Sequence, residues 1–227
     1  MIPIFDGVYG FTGMIAGRVY AIRDADGLTL IDTGLGRLSG RIVRQMAAAG
    51  FGPGDLKRIL ITHAHIDHGG GAHHLQQLSG AQVLVSAMEA GAMRGTDELP
   101  RPKNRRFSVM PKQFFKPSKV DRELHDGDEI PGVLGGLVAV ATPGHTLGHL
   151  SFWSPTRKIL FTGDVILHTL GISLPMGPVS ADMALNRQSV SKIAALAPDA
   201  LLFGHGPAIL TDAAARLNAF VERRGIA

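Results

Sequence analysis

The chain has 227 residues, 45% of them hydrophobic and 6% aromatic, with no cysteine and a formal charge of +4. That length can bury a substantial core, and the lack of cysteine excludes disulfides and thiolate ligands, so any metal must be held by His, Asp or Glu. No apolar run approaches the roughly 20 residues that span a bilayer, and a charge excess this small does not argue for a nucleic-acid partner.

The N-terminal "MIPIFDGVYGF" has no basic stretch followed by an apolar one, so a cytoplasmic location is expected. "RVYAIR" (18–23) and "LTLID" (28–32) read as strands joined by the turn "DADG". "SGRIVRQMAAAG" (39–50) reads as an amphipathic helix, with Ser39 as N-cap and Gly50 as stop. "RILIT" (58–62) is a short strand, 70–78 a helix, and "AQVLVS" (81–86) a strand.

Residues 93–120 have no clear period. They carry seven cations between 101 and 119 and no acid there, which suggests a basic insertion loop or lid. Phe107, Met110, Phe114 and Phe115 lie among those cations and would give such a lid apolar contacts. Strands follow near 120–124, 134–141, 149–153 and 158–162, then a helix at 181–196, a strand at 199–203 and a helix over 211–224. Two runs of strands mixed with helices predict two sheets with helices outside. Without an internal repeat or a Ser/Gly linker, 1–227 reads as one domain.

Three histidines and an aspartate crowd "ITHAHIDHGG", 61–70, directly after a strand. Residues two apart on extended backbone point the same way, so His63 and His65 can grip one ion. Asp67 and His68 can face a second. Six residues cannot complete two coordination spheres. Later loops offer His145 in "TPGHT", Asp164 in "FTGD" and His205 in "FGHGP", each beside a glycine just past an apolar strand. Asp67 is also placed to orient a nucleophile.

With "LIDTG" (30–34), these motifs in this order make the chain resemble the metallo-β-lactamase superfamily of metallohydrolases. The resemblance spans about residues 8–210. It implies an α/β fold, a four-layer αββα sandwich of two mixed β-sheets flanked by helices. It implies His63, His65 and His145 at one metal, Asp67, His68 and His205 at a second, and Asp164 bridging. Asp32 matches a buried supporting carboxylate, and Thr62 and Thr146 are placed to orient ligand histidines. His149 reads as structural, His168 as a candidate for facing the substrate, and His73, His74 and His125 as surface or packing residues.

An all-His/Asp set favours two zinc ions, with iron or manganese as alternatives. The implied activity is hydrolysis of a carboxylic ester, thioester or lactone by a metal-bridging hydroxide. The implied partner is a small molecule, with neither nucleic acid nor membrane and a homodimer as the assembly considered. Mononuclear iron persulfide dioxygenases and phosphodiesterases resemble the same pattern and are the alternatives. Hydroxyacylglutathione hydrolases usually add a C-terminal helical domain, whereas 22 residues follow His205 here. Quorum-quenching lactonases place a Tyr three residues after the bridging Asp, where this chain has Leu167.

Overall fold

The computed structural model describes residues 1–101 and 115–226, which fall into two compact units. The first holds Met1–Leu99, 115–124 and Gly132–Leu134; the second holds 100–101, His125–Pro131 and 135–226. Among the described residues no helix is long and apolar enough to cross a membrane.

The first unit is built on a seven-stranded mixed sheet: β1 (Ile2–Phe5), β2 (Val8–Gly10), β3 (Tyr20–Asp24), β4 (Gly27–Ile31), β5 (Leu56–Leu60), β6 (Gln82–Ser86) and β7 (Arg122–Leu124), hydrogen-bonded in that order. Pairing is antiparallel from β1 to β4 and parallel from β4 to β7. Parallel strands need crossovers, and helices supply them: α1 (Ser39–Ala48) between β4 and β5, α2 (Ile66–Gly69) and α3 (Ala72–Ser79) between β5 and β6. A short α4 (Ala90–Arg94) follows β6. Leu28, Leu30, Ile59, Val83 and Val85 of the sheet share one apolar core with Ile42 and Met46 of α1 and Leu75 of α3.

Several boundaries differ from the sequence reading. Ser39 is not the cap of α1: the cap position is Leu38, and Ser39 Oγ donates to the Gly36 carbonyl (2.8 Å). The helix expected at 70–78 is two helices, and Asp67 and His68 ride on the first. The strand expected from 134 starts at Leu137, because Leu134, Gly135 and Gly136 all have positive φ, which extended strands do not use.

Within the basic segment, residues 102–114 lie outside the described residues, including Phe107, Met110 and Phe114. Phe115 is buried in the core of this unit, so its ring is not available as a lid contact. Residues 117–121 are tied down. The Ser118 N–H donates to the Met93 carbonyl (2.8 Å), and His73 Nδ1 lies 2.6 Å from the Pro117 carbonyl.

Asp121 Oδ2 accepts from the Val83 N–H and from Gln76 Nε2, both at 3.0 Å, while Oδ1 pairs with Lys119. Burial pushes the Asp121 carboxyl up, but Lys119 and these donors hold it below its ordinary 3.8. A depressed carboxylate contributes stability above its unfolded pKa and loses it as pH falls through the folded value. Asp121→Asn should therefore cost about 1 kcal/mol at neutral pH. The gap between variant and wild type should close as denaturation is followed to pH values below 3.8.

The second unit carries a five-stranded sheet. Its strands are β8 (Glu129–Ile130), β9 (Leu137–Ala141), β10 (Leu150–Ser154), β11 (Ile159–Gly163) and β14 (Ala200–Phe203), in the order β14-β11-β10-β9-β8. Only β11 and β14 pair in parallel; the other pairs are antiparallel. A small hairpin, β12 (Leu167–His168) with β13 (Ile172–Ser173), follows β11. The crossover from β11 to β14 includes α5 (Met183–Ala195), capped by Asp182, whose Oδ1 accepts from the Ala184 and Leu185 N–H groups at 2.8 and 3.1 Å. Val190 and Ile193 of α5 and Leu217 and Phe220 of α6 (Ala213–Arg223) close the core with Leu160, Leu201 and Phe203.

Candidate metal centre

In the first unit the candidate ligands follow β5. Parallel neighbours on both sides of β5 leave its C-terminal end surrounded by β4 and β6, so the chain leaves the sheet at a crowded edge. There Asp32, just past β4, organises what β5 delivers. Its Oδ1 accepts from the Thr62 N–H (2.8 Å), Thr62 Oγ1 donates to the carboxylate (2.8 Å to Oδ2), and His68 Nδ1 lies 2.8 Å from Oδ2. Asp32, Thr62 and His68 are all buried, so these donors have little alternative. Asp32 has φ +60°, a left-handed conformation that Asp tolerates better than most residues.

The hydrogen bonds assign the rings. Thr62 Oγ1 spends its proton on Asp32, so it accepts from His63 Nδ1 (3.1 Å), and His63 Nε2 is then the acceptor nitrogen. His68 donates Nδ1–H to Asp32, which likewise makes Nε2 its acceptor nitrogen. His63 Nε2 approaches His65 Nδ1 to 3.1 Å, and His68 Nε2 lies 3.8 Å from Asp67 Oδ2. With their Nδ1 protons committed to Thr62 and Asp32, His63 and His68 each present an unprotonated Nε2, the atom a cation takes. The donor set therefore fits a cation.

The backbone is held as firmly. The His68 carbonyl accepts both the N–H and the Oγ1–H of Thr33 (2.7 Å each), so "DTG" grips one residue at its ring and at its carbonyl. Two supports were not legible in the sequence. Glu89 is buried, and its Oε2 accepts from the Ala64 N–H, pinning the peptide between His63 and His65. Gly17 lies where a Cβ would stand 1.9 Å from the Asp67 carbonyl, so only glycine lets that loop pass. Neither residue belongs to a recognisable run, and each acts on a loop dozens of residues away.

In the second unit β9, β11 and β14 end side by side or one strand apart, and His145, Asp164 and His205 follow their ends. The unit brings the three together: Asp164 Oδ2 lies 3.6 Å from His145 Nε2 and 3.2 Å from His205 Nε2. His145 and Asp164 are buried, and His205 is half-buried. His145 Nδ1 lies 3.3 Å from Ser180 Oγ, which donates to the Met176 carbonyl and so receives the ring proton. Ser180 thus orients His145. Thr146, expected in that role, is buried beside it and accepts at its carbonyl from the Gly144 N–H.

His149 is placed as expected for a structural histidine. Its Nε2 accepts from the Asp164 N–H (2.8 Å), and its Nδ1 meets Thr142 Oγ1 (2.8 Å). That chain continues through Ser151 Oγ to the Thr162 carbonyl. The buried relay fixes the Asp164 backbone to β10 and β11. His168 is tied to the same loops: its N–H donates to the His205 carbonyl (2.9 Å), and its Nδ1 lies 2.7 Å from the Pro207 carbonyl. His74 and His125 are exposed and His73 is half-buried.

Known proteins resemble this chain in sequence and in fold. The family model described as metallo-beta-lactamase superfamily matches residues 13–205. A Bacillus subtilis (strain 168) protein named "Probable metallo-hydrolase YflN" is 30% identical over 224 residues, 88% of this chain and 84% of its own length. A hydroxyacylglutathione hydrolase of Pseudomonas putida (strain W619) is 35% identical over 113 residues, but the match spans only 49% of this chain and 34% of that protein. Among solved structures, BJP-1 of Bradyrhizobium japonicum, a subclass B3 metallo-β-lactamase, matches with TM-score 0.71 and 30% identity over 89% of this chain and 76% of its own. A metallo-β-lactamase family protein of Thermus thermophilus matches with TM-score 0.76 over 98% of this chain and 81% of its own, at 22% identity, a likeness of fold. Mixed sheets flanked by helices here form the α/β sandwich of that fold.

Proposed function

The chain belongs to the metallo-β-lactamase superfamily, and on that premise we propose that it is a hydrolase of carboxylic esters, thioesters or lactones with two divalent ions, zinc first among them. His63, His65 and His145 would hold one ion, Asp67, His68 and His205 the other, and Asp164 would bridge, all within a single domain of 1–227. The observation that most supports this is the Asp164 carboxylate oxygen with an imidazole nitrogen on either side, at 3.6 and 3.2 Å. Relatives named hydroxyacylglutathione hydrolase support acyl hydrolysis, but the match spans only 34% to 52% of their length, so glutathione itself is not carried over.

When bound, divalent ions would supply Lewis acidity that lowers the pKa of a water toward neutrality and stabilises a developing oxyanion. The chain's own residues do the positioning. Asp32 and Thr62 keep His63 and His68 in the tautomers whose Nε2 accepts. Ser180 does the same for His145. Asp67 would orient the attacking water and pass its proton toward the leaving group.

The test is metal content of protein purified without added metal, measured with a panel of p-nitrophenyl esters, a thioester, homoserine lactones, a β-lactam and bis-p-nitrophenyl phosphate. About two zinc or manganese ions per chain with ester, thioester or lactone turnover is the expected result. One iron per chain with oxygen uptake on glutathione persulfide would replace this reading with a dioxygenase. Turnover confined to the phosphodiester would replace it with a phosphodiesterase.

A further inference from the structure

The first unit contains a cavity of about 530 Å³ that none of the seven proposed metal ligands lines. Its wall combines the start of α1 with the outer face of α3 and residue 116: Arg37, His73, His74 and Lys116 supply side chains, and Gly36 and Gly70 supply backbone. The size falls within the roughly 300–1,000 Å³ of small-molecule sites.

Its charge is one-sided. No acidic residue lines it, and among the described residues no carboxylate pairs with Arg37 or Lys116. Elsewhere in the same unit the arginines Arg58 and Arg94 do have carboxylate partners. The glycines keep the wall thin. A Cβ on Gly36 would stand 2.8 Å from the Gly70 carbonyl, and one on Gly70 would stand 2.1 Å from the Ile66 carbonyl. Arg37 offers a forked set of donors and Lys116 a compact charge, two positive charges for one doubly negative group. His73 and His74 add imidazole edges.

We propose that this cavity binds a phosphate group, carried as a phosphomonoester by a small organic molecule that fills the remaining volume. Two cationic side chains match a dianion, and a cavity this large exceeds what a bare phosphate ion fills. The site does not depend on the metal reading, because it shares no residue with it.

The test is calorimetric titration of the metal-loaded protein at fixed ionic strength with inorganic phosphate and with phenyl phosphate. The comparison protein is the double variant Arg37→Gln/Lys116→Gln. Wild type should bind both, phenyl phosphate more tightly, and the variant should lose at least about tenfold in affinity, since charge-assisted hydrogen bonds are the strong ones. Equal affinity in the variant would overturn the proposal and assign the phosphate to the metal centre. No binding by wild type would overturn it outright. Equal binding of the two ligands, still dependent on Arg37 and Lys116, would keep the site and make free phosphate its occupant. Both substituted side chains are exposed, so folding should survive. As a check that needs no variant, the imidazole resonances of His73 and His74 in wild type should shift with phenyl phosphate.

Discussion

Asp32→Ala should destabilise the chelator-treated protein by about 3–5 kcal/mol, read from urea denaturation. The substitution removes one carboxylate and strands three buried donors: the Thr62 N–H, the Thr62 hydroxyl and His68 Nδ1–H. Thr62 and His68 have no exposed surface, so water cannot replace the lost acceptor without rearrangement. Each orphaned donor costs about 1–3 kcal/mol, against a total stability of about 5–15 kcal/mol for a domain. Left-handed backbone adds to the cost, because Ala tolerates φ +60° less well than Asp.

Asp32→Asn separates folding from metal binding. The amide keeps one acceptor oxygen for Thr62 but turns an N–H toward His68. His68 must then accept at Nδ1, which puts its proton on Nε2. The fold should survive at a cost of about 1–2 kcal/mol, while metal affinity falls about 10–100-fold. A stability loss below about 1 kcal/mol for Asp32→Ala would show that the carboxylate does not hold the two strands and the helix together.

Asp164→Asn carries the largest expected effect on activity. Asn keeps the shape and the backbone N–H that donates to His149 Nε2, so the buried relay through Thr142 and Ser151 stays intact. What goes is the negative charge between His145 and His205. Under the proposed reading this oxygen is shared by both ions, so its loss should lower kcat/KM at least about 1,000-fold, about 4 kcal/mol of transition-state stabilisation. Metal content should drop by about one ion per chain. Stability of the chelated protein should hold or rise, because a buried charge is costly once its cation is gone. Activity within tenfold of wild type with unchanged metal content would remove Asp164 from the bridging position.

Local pattern carried much of the molecule. The alternation in "RVYAIR" and "LTLID" around "DADG" gave a hairpin that the structure keeps as β3 and β4. The 181–196 periodicity matched α5 to within a residue or two. Each proposed ligand stands just past an apolar strand or on α2, because an apolar run followed by a glycine-rich polar turn is a local signal that needs no partner. Where the signal was weak, the reading failed. The three-residue β2 and two-residue β12 and β13 are too short to show a period. Phe115, read with the cations around it, belongs instead to the core.

The amino-acid order alone thus determined the chemistry on offer, His and Asp donors without a thiol, and the strand ends that present it. Only the tertiary structure decided what orients those donors: Ser180 for His145, Glu89 for the loop between His63 and His65, and Gly17 beneath Asp67. The physical reason is range. A strand or helix is set by neighbours a few residues apart, whereas a hydrogen bond from Ala64 to Glu89 or from His145 to Ser180 exists only once register and topology have closed a gap of 25 or 35 residues.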